Sequence, residues 1–405
     1  MNSKTLCTLG FAAMIAGGVV ASAGAQTFNV QTVMSDLNNP RGLAFGPDGS
    51  LYVAEAGLGA NGNTSGPSFV DGNNETDYFG LTGGVVRLKN GVQTPVISDL
   101  PSVANPTGAG AGGISNIAFA SNGTPYGVIN FGGELDARTT MISAGATNAS
   151  LLGTVVQLNF GSSPSTTLVT DVSAYAKANN LEGPTQPGKP FETNPYGLTT
   201  LKNGGFAVTD AGGNFVATLD GNGTINGTVS LPNYANQLFP NVGGPTSQSV
   251  PTGVTEGPDG TLYVSELGGF PFVPGASHID VIKNGVLTTR FGGFTSLMDV
   301  TYYDGELYAI QLDTNGLLSN NPGPGELLEI DPTTGQTKVL FSGLDTPGGL
   351  AVENENTFFV STGSSEVGTG AVVRLTEVPE PSTFALLIGL AGASMGCVWK
   401  RRRNR

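Results

Sequence analysis

One pattern occurs twice, far apart in the chain, and it constrains the fold more than any other feature. Asn39-Pro40-Arg41-Gly42-Leu43-Ala44-Phe45-Gly46-Pro47-Asp48-Gly49-Ser50-Leu51-Tyr52-Val53-Ala54-Glu55 returns as Val250-Pro251-Thr252-Gly253-Val254-Thr255-Glu256-Gly257-Pro258-Asp259-Gly260-Thr261-Leu262-Tyr263-Val264-Ser265-Glu266. Fainter copies begin at Gly113-Ile114-Ser115-Asn116-Ile117, Pro195-Tyr196-Gly197-Leu198, Leu297-Met298-Asp299-Val300 and Pro347-Gly348-Gly349-Leu350. Each copy reads as a strand, a tight Asp-Gly or Asn-Gly turn and a second strand. A unit of this size cannot bury its own apolar face, so copies must pack on one another.

A second hairpin follows each first one. Its inner strands are expected at Gly84–Lys89, Gly153–Asn159, Asn214–Asp220, His278–Lys283, Glu326–Asp331 and Gly370–Thr376. The last of these has no strand after it. The missing partner is available at Phe28-Asn29-Val30-Gln31-Thr32-Val33, which precedes the first copy as the other outer strands precede theirs. Four strands per copy, six copies and a borrowed terminal strand predict an all-β, six-bladed β-propeller, whose closure removes exposed sheet edges. A β-helix would need shorter, more even coils without hairpins. Composition agrees: 62 Gly and 25 Pro among 405 residues suit many turns, and charged residues at 12% are too few for a helical bundle.

Both termini stand apart from the repeats. Residues 1–25 read as a signal peptide, with Lys4, an apolar run from Leu6 to Val20, and Ala23-Gly24-Ala25 as the cleavage pattern. The domain expected from them is 26–377. At 378–405, Val378-Pro379-Glu380-Pro381-Ser382 precedes an apolar stretch from Phe384 to Trp399 and a basic cluster of Lys400, Arg401, Arg402, Arg403 and Arg405. A stretch of that length just spans a bilayer, with the basic end held on the cytoplasmic side. This order of elements resembles the PEP-CTERM sorting signal of Gram-negative bacteria. The resemblance implies an exosortase-type partner, a transient membrane helix, and a product in the periplasm, at the cell surface or secreted.

Setting the ends aside removes six of the 17 basic residues and one of the 31 acids, leaving 30 acids against 11 bases. Such a body repels nucleic acid, whose binding depends on Lys and Arg. Cys7 and Cys397 lie in the two ends, so the body has neither disulfide nor thiolate ligand. Its one histidine, His278, cannot build a multi-histidine metal site.

Pro-x-Gly-Leu followed by Asp-Gly-x-Leu-Tyr-Val resembles the NHL repeat. The stretch from Leu37 to Gly49, with Asp171-Val172-Ser173-Ala174-Tyr175 and the sorting tail, is similar to the ScyD/ScyE family. That resemblance covers nearly the whole mature chain. It implies an NHL-like propeller and a link to extracellular pigment formation of the scytonemin kind.

Strand order separates two faces. Turns within hairpins are minimal, as at Pro47-Asp48-Gly49, Asn90-Gly91 and Asn284-Gly285. The other connections are long: Ala56–Gly83, Phe131–Leu152, Ala176–Asn194, Leu231–Val250, Gly268–Ser277 and Leu312–Gly325. Long loops gathered on one face make it the candidate binding surface. There the second strands end at Glu55, Asn130, Asp210, Glu266, Gln311 and Thr362, all oxygen-bearing. Two readings stay open for Glu55, Asn130, Asp210 and Glu266: a hard-cation ring suited to Ca²⁺, or side chains that close turns by bonding backbone amides. Around the channel, Arg41, Asn116, Tyr196 and Asp299 are ligand-contact candidates, although Arg41 could pair with Glu55. His278 joins them as a base that titrates near neutrality. The acidic segment Val70–Asp77 lacks the spacing of an EF-hand.

The expected function is that of an exported propeller binding a small molecule, glycan or protein, in pigment- or exopolysaccharide-related processes, without a catalytic group. The alternative is a Ca²⁺-dependent hydrolase or lactonase of the gluconolactonase-like kind. Arg41, Ser115, Tyr196, Thr252, Met298 and Gly348 depart from the acid and amide pattern which that resemblance requires.

Overall fold

The computed structural model describes residues 26–71, 75–181, 191–239 and 241–378. The expected leader, and the sorting segment apart from Val378, lie outside them. Among the described residues no helix is long and apolar enough to cross a membrane.

Six four-stranded antiparallel blades follow the repeats. Blade 1 runs Pro40–Phe45, Leu51–Glu55, Thr76–Lys89 and Val92–Ala104, and blade 2 runs Ile114–Phe119, Pro125–Ile129, Thr154–Asn159 and Ser165–Asp171. Blade 3 comprises Pro195–Thr200, Phe206–Asp210, Phe215–Leu219 and Ile225–Ser230. Blade 4 comprises Pro251–Glu256, Leu262–Glu266, Ser277–Lys283 and Val286–Phe294. Blade 5 holds Leu297–Tyr303, Glu306–Gln311, Gly325–Ile330 and Thr337–Leu344. Blade 6 takes three strands from the C-terminal side, Gly349–Asn354, Thr357–Thr362 and Gly370–Glu377, and its outermost strand, Phe28–Leu37, from the N-terminal side.

That closing strand pairs Phe28 with Glu377, Thr32 with Val373 and Leu37 with Gly370. It extends beyond the expected Val33, with irregularities between Thr32 and Met34 and between Met34 and Leu37. An irregularity breaks strict alternation. Here Met34 and Leu37 are only 2% and 1% exposed and pack against Leu43, Val53 and Val86 of blade 1. Closure is therefore made by side-chain burial as well as by the ladder.

The core is divided among the gaps between blades. Odd-numbered positions of blade 4, such as Tyr263, Ile279 and Val281, pack on Leu307 and Ala309 of blade 5. Its even-numbered Leu262, Val264 and Ile282 pack on Ala207 and Val216 of blade 3. This is the period-2 alternation of a sheet buried on both sides. On one face the hairpins close tightly. Asn90-Gly91, Asn284-Gly285 and Asp304-Gly305 have positive φ at both residues, as two-residue turns between twisted strands demand.

The opposite face carries the long connections, and several hold structure that the repeat did not announce. The third and fourth strands of blade 1 project above their neighbours, and Ser68–Val70 pairs with the start of the projecting hairpin. Leu135–Ser143 and Val172–Asn179 are helices. Asp171 caps the second by accepting from the Ala174 amide at 2.9 Å, and it holds Arg138 of the first at 2.6 Å. The Asp171–Tyr175 motif is thus a helix cap that fastens two loops together.

Candidate functional site

The oxygen-bearing second-strand ends share a structural task. In each of four blades the residue there pins the chain arriving from the preceding blade. Glu55 accepts the Asn38 amide (2.8 Å), Asn130 the Gly113 amide (2.5 Å) and Gln311 the Thr295 amide (2.7 Å). Asp210 accepts from the amides of Asn194, Gly212 and Gly213 and from the Thr193 hydroxyl. Burial pushes the carboxyls of Glu55 and Asp210 upward, while these hydrogen bonds pull the other way. The four proposed metal ligands are not brought together. Among the described residues no three His, Cys, Asp or Glu side chains are placed to hold one metal ion.

Thr362 and Glu266 remain, and Glu266 departs from the pattern for a local reason. The chain arriving at blade 4 is pinned instead by Asn214, whose Oδ1 accepts the Val250 amide at 2.9 Å. That releases Glu266 for other partners. Its side chain has no exposed surface; one oxygen binds Arg290 at 2.7 Å and the other meets Nδ1 of His278 at 3.1 Å. Arg290 also binds Asp280 at 2.6 Å, and Asp280 is equally buried. The four align because Val264 faces Asp280 across one ladder and Asp280 faces Arg290 across the next, so Glu266, His278, Asp280 and Arg290 share one side of the sheet.

One guanidinium thus serves two buried carboxyls. Burial raises Glu266 to about 7 although Arg290 opposes the shift; burial and the charge of Glu266 raise Asp280 to about 8. Burial and Arg290 push His278 down, and burial pushes the Tyr234 phenol, whose ring lies 5.5 Å from His278, up to about 12. Near neutrality the acid pair retains protons, titrates as a unit and can exchange a proton with a partly exposed histidine. Sequence reading found Glu266 and His278 but missed Asp280, Arg290 and Tyr234. A legible signal was present: His278 and Asp280 are polar at alternate positions of an otherwise apolar strand.

The remaining candidates lie around the channel. Asp299 is buried and ties blade 5 to blade 6, accepting the amides of Val300 (2.9 Å) and Leu350 (3.0 Å); burial raises it to about 7. Asn116 packs so closely on Gly42 that a Cβ there would lie 2.8 Å from its side chain. Both residues therefore set the approach of inner strands. Arg41 and Tyr196 differ from them. They come from blades 1 and 3, each is 9% exposed, and Nη1 of Arg41 lies 3.5 Å from the Tyr196 hydroxyl. Nη2 donates to the Ala111 carbonyl at 3.1 Å. Arg41 makes no ion pair among the described residues, since Glu55, the partner expected for it, is engaged by Asn38.

No family model matches the chain, and no curated protein is significantly similar to it. Solved structures are similar in fold. A glucose dehydrogenase-type oxidoreductase from Thermus thermophilus superposes over 86% of this chain and 100% of its own, at 17% identity and a TM-score of 0.50. A gluconolactonase from Xanthomonas campestris does so over 89% and 93%, at 12% identity and a TM-score of 0.50. The class defined is thus a six-bladed β-propeller, the architecture that these structures share with it. At this identity the likeness concerns architecture, and the activities belong to those proteins.

Proposed function

We propose that the chain is an exported, exosortase-sorted propeller that binds an anionic small molecule or glycan at the channel mouth of its loop-bearing face. The observation that carries this is Arg41. A guanidinium almost removed from water, in a body of 30 acids, has among the described residues only a carbonyl and a distant phenol as partners. Burying a charge without a counter-charge is costly, and an anion seated on Arg41 and Tyr196 offsets that cost. Uronic acids and sulfated sugars of an extracellular matrix, or an acidic pigment precursor, have the required chemistry. Export rests on the sequence of the two ends, and the scytonemin-type role on the family resemblance.

The hydrolase reading keeps one observation in its favour, the neutral-titrating Glu266–Asp280 pair beside His278. Among the described residues no three His, Cys, Asp or Glu side chains are grouped to hold the metal which that reading expects.

The test is native mass spectrometry of the full chain purified from its producing cells, with melting curves in galacturonate and sulfated oligosaccharides. A bound adduct, lost in Arg41→Gln but retained in Asn116→Ser, supports the proposal. Ligand-free protein whose melting temperature none of these anions raises refutes it.

A further inference from the structure

The face of tight turns carries a second concavity, between blade 5 and the closing blade, with a volume of about 250 Å³. Five carboxylates line it: Asp304, Glu306 and Glu329 from blade 5, Glu355 and Glu377 from blade 6. One cation stands among them, Lys338, which is 56% exposed and bound to Glu329 at 3.3 Å. Acids alone do not make a site, since a surface cluster can simply be solvated. The groups beneath them decide the matter.

Tyr308 lines the same pocket and is only 4% exposed. Its ring packs 5.0 Å from Phe358, and its hydroxyl, to which no described residue is hydrogen-bonded, is open to the pocket rather than sealed beneath it. Glu329, Glu306, Glu355 and Asp304 all act on that phenol, which burial and these charges push up to about 12, so the oxygen lies among the acids. Gln26 repeats the theme: its amide nitrogen donates to Glu377 at 2.8 Å, and its Oε1 is buried without a partner. The pocket therefore offers mainly acceptors, its donors being the Lys338 ammonium and the Gln26 and Asn356 amides, each already bound to one of the acids. A buried polar oxygen left unpaired loses free energy that a donor from outside restores. The acids are too dispersed to enclose one metal ion, no three of them being so placed. Several separated positive charges on one flexible molecule match them better. Leu340 supplies apolar wall for the methylenes between those charges.

We propose that this pocket binds a linear organic polycation, a diamine or polyamine, with its ammonium groups on the carboxylates and on the oxygens of Tyr308 and Gln26. Because Gln26 and Glu377 flank the strand that closes the ring, the bound cation also bridges blade 5 to the closure. This site lies on the face opposite Arg41 and is independent of it.

The experiment is calorimetric titration of the full chain with spermidine and putrescine in physiological salt, where diffuse attraction to an acidic surface is screened. One saturable site is expected, weakened about tenfold in Glu306→Gln/Glu355→Gln by the loss of two charge contacts. Glu134→Gln/Asp136→Asn, an equal loss of charge on the other face, should leave it unchanged, as should Arg41→Gln. Tyr308→Phe keeps the packing and removes only the hydroxyl, so weaker binding is expected there too. Unsaturable uptake, equal weakening by both acidic pairs, or unchanged affinity in Tyr308→Phe overturns the proposal. Should the Glu306 and Glu355 variant fail to fold, Tyr308→Phe alone decides.

Discussion

Replacing Arg290 by Met removes the one cation serving two carboxyls that have no exposed surface. The cost depends on pH in a way the structure fixes. Both acids titrate above their ordinary values, Glu266 near 7 instead of 4.5 and Asp280 near 8 instead of 3.8. Between those limits the folded chain holds more protons than the unfolded one. Their contribution to stability is therefore fully present below about pH 4 and is lost as pH rises through 7 to 8. At pH 5 both groups are protonated with or without Arg290, so the variant loses only hydrogen bonds, about 1 kcal/mol. At pH 8.5 the wild-type carboxylates are ionised and paired, and in the variant, without Arg290 to hold their pKa values down, they must either stay as buried anions or take up protons at an unfavourable pH. Breaking such a pair costs about 3–5 kcal/mol. For a propeller of this size, unfolding entropy per residue converts 1 kcal/mol into roughly 1.4 °C. The expected loss of melting temperature is about 1 °C at pH 5 and about 4–7 °C at pH 8.5. His278, held down partly by Arg290, gains proton affinity in the variant and offsets part of the loss near pH 6–7, so the comparison is made at the two extremes. Calorimetric or circular-dichroism melts of both proteins provide the reading. An equal loss at both pH values would refute the account of a proton-retaining acid pair.

Three further outcomes follow from the frame. Leu37→Ala should destabilise the domain by about 2–5 kcal/mol, because a buried side chain of the closing strand leaves a cavity against blade 1; removing residues 26–37 should abolish a single cooperative melt. An unchanged transition after that deletion would show that ring closure is not what holds blade 6. Asp210→Ala, which orphans three amides, should cost about 3 kcal/mol against about 1 kcal/mol for Glu55→Ala, which orphans one. Denaturant midpoints that rank the two in the opposite order would contradict the pinning role of the second-strand ends.

Blade number, strand order and the borrowed terminal strand were legible in the chain, because they depend on period-2 alternation and on turn chemistry, both local properties. Asn-Gly and Asp-Gly dipeptides specify their turns with residues adjacent in sequence, and six repeats with one strand missing leave a single place for Phe28–Leu37. The partners of polar side chains were not legible. Glu55, Asp210 and Glu266 occupy equivalent positions in nearly equivalent repeats, yet two bind backbone amides and the third joins Arg290. What separates them is Asn214, distant in sequence from Glu266, which takes over the amide that Glu266 would otherwise have pinned. Likewise Arg41 could not be separated from Glu55 until the Asn38 amide was seen to occupy that carboxylate. The sequence determined the ring, since alternation and turns act between neighbours in the chain. Only the tertiary structure decided which acids are tied, which retain a proton and which cation stands alone, because those outcomes depend on burial and on donors brought from other blades.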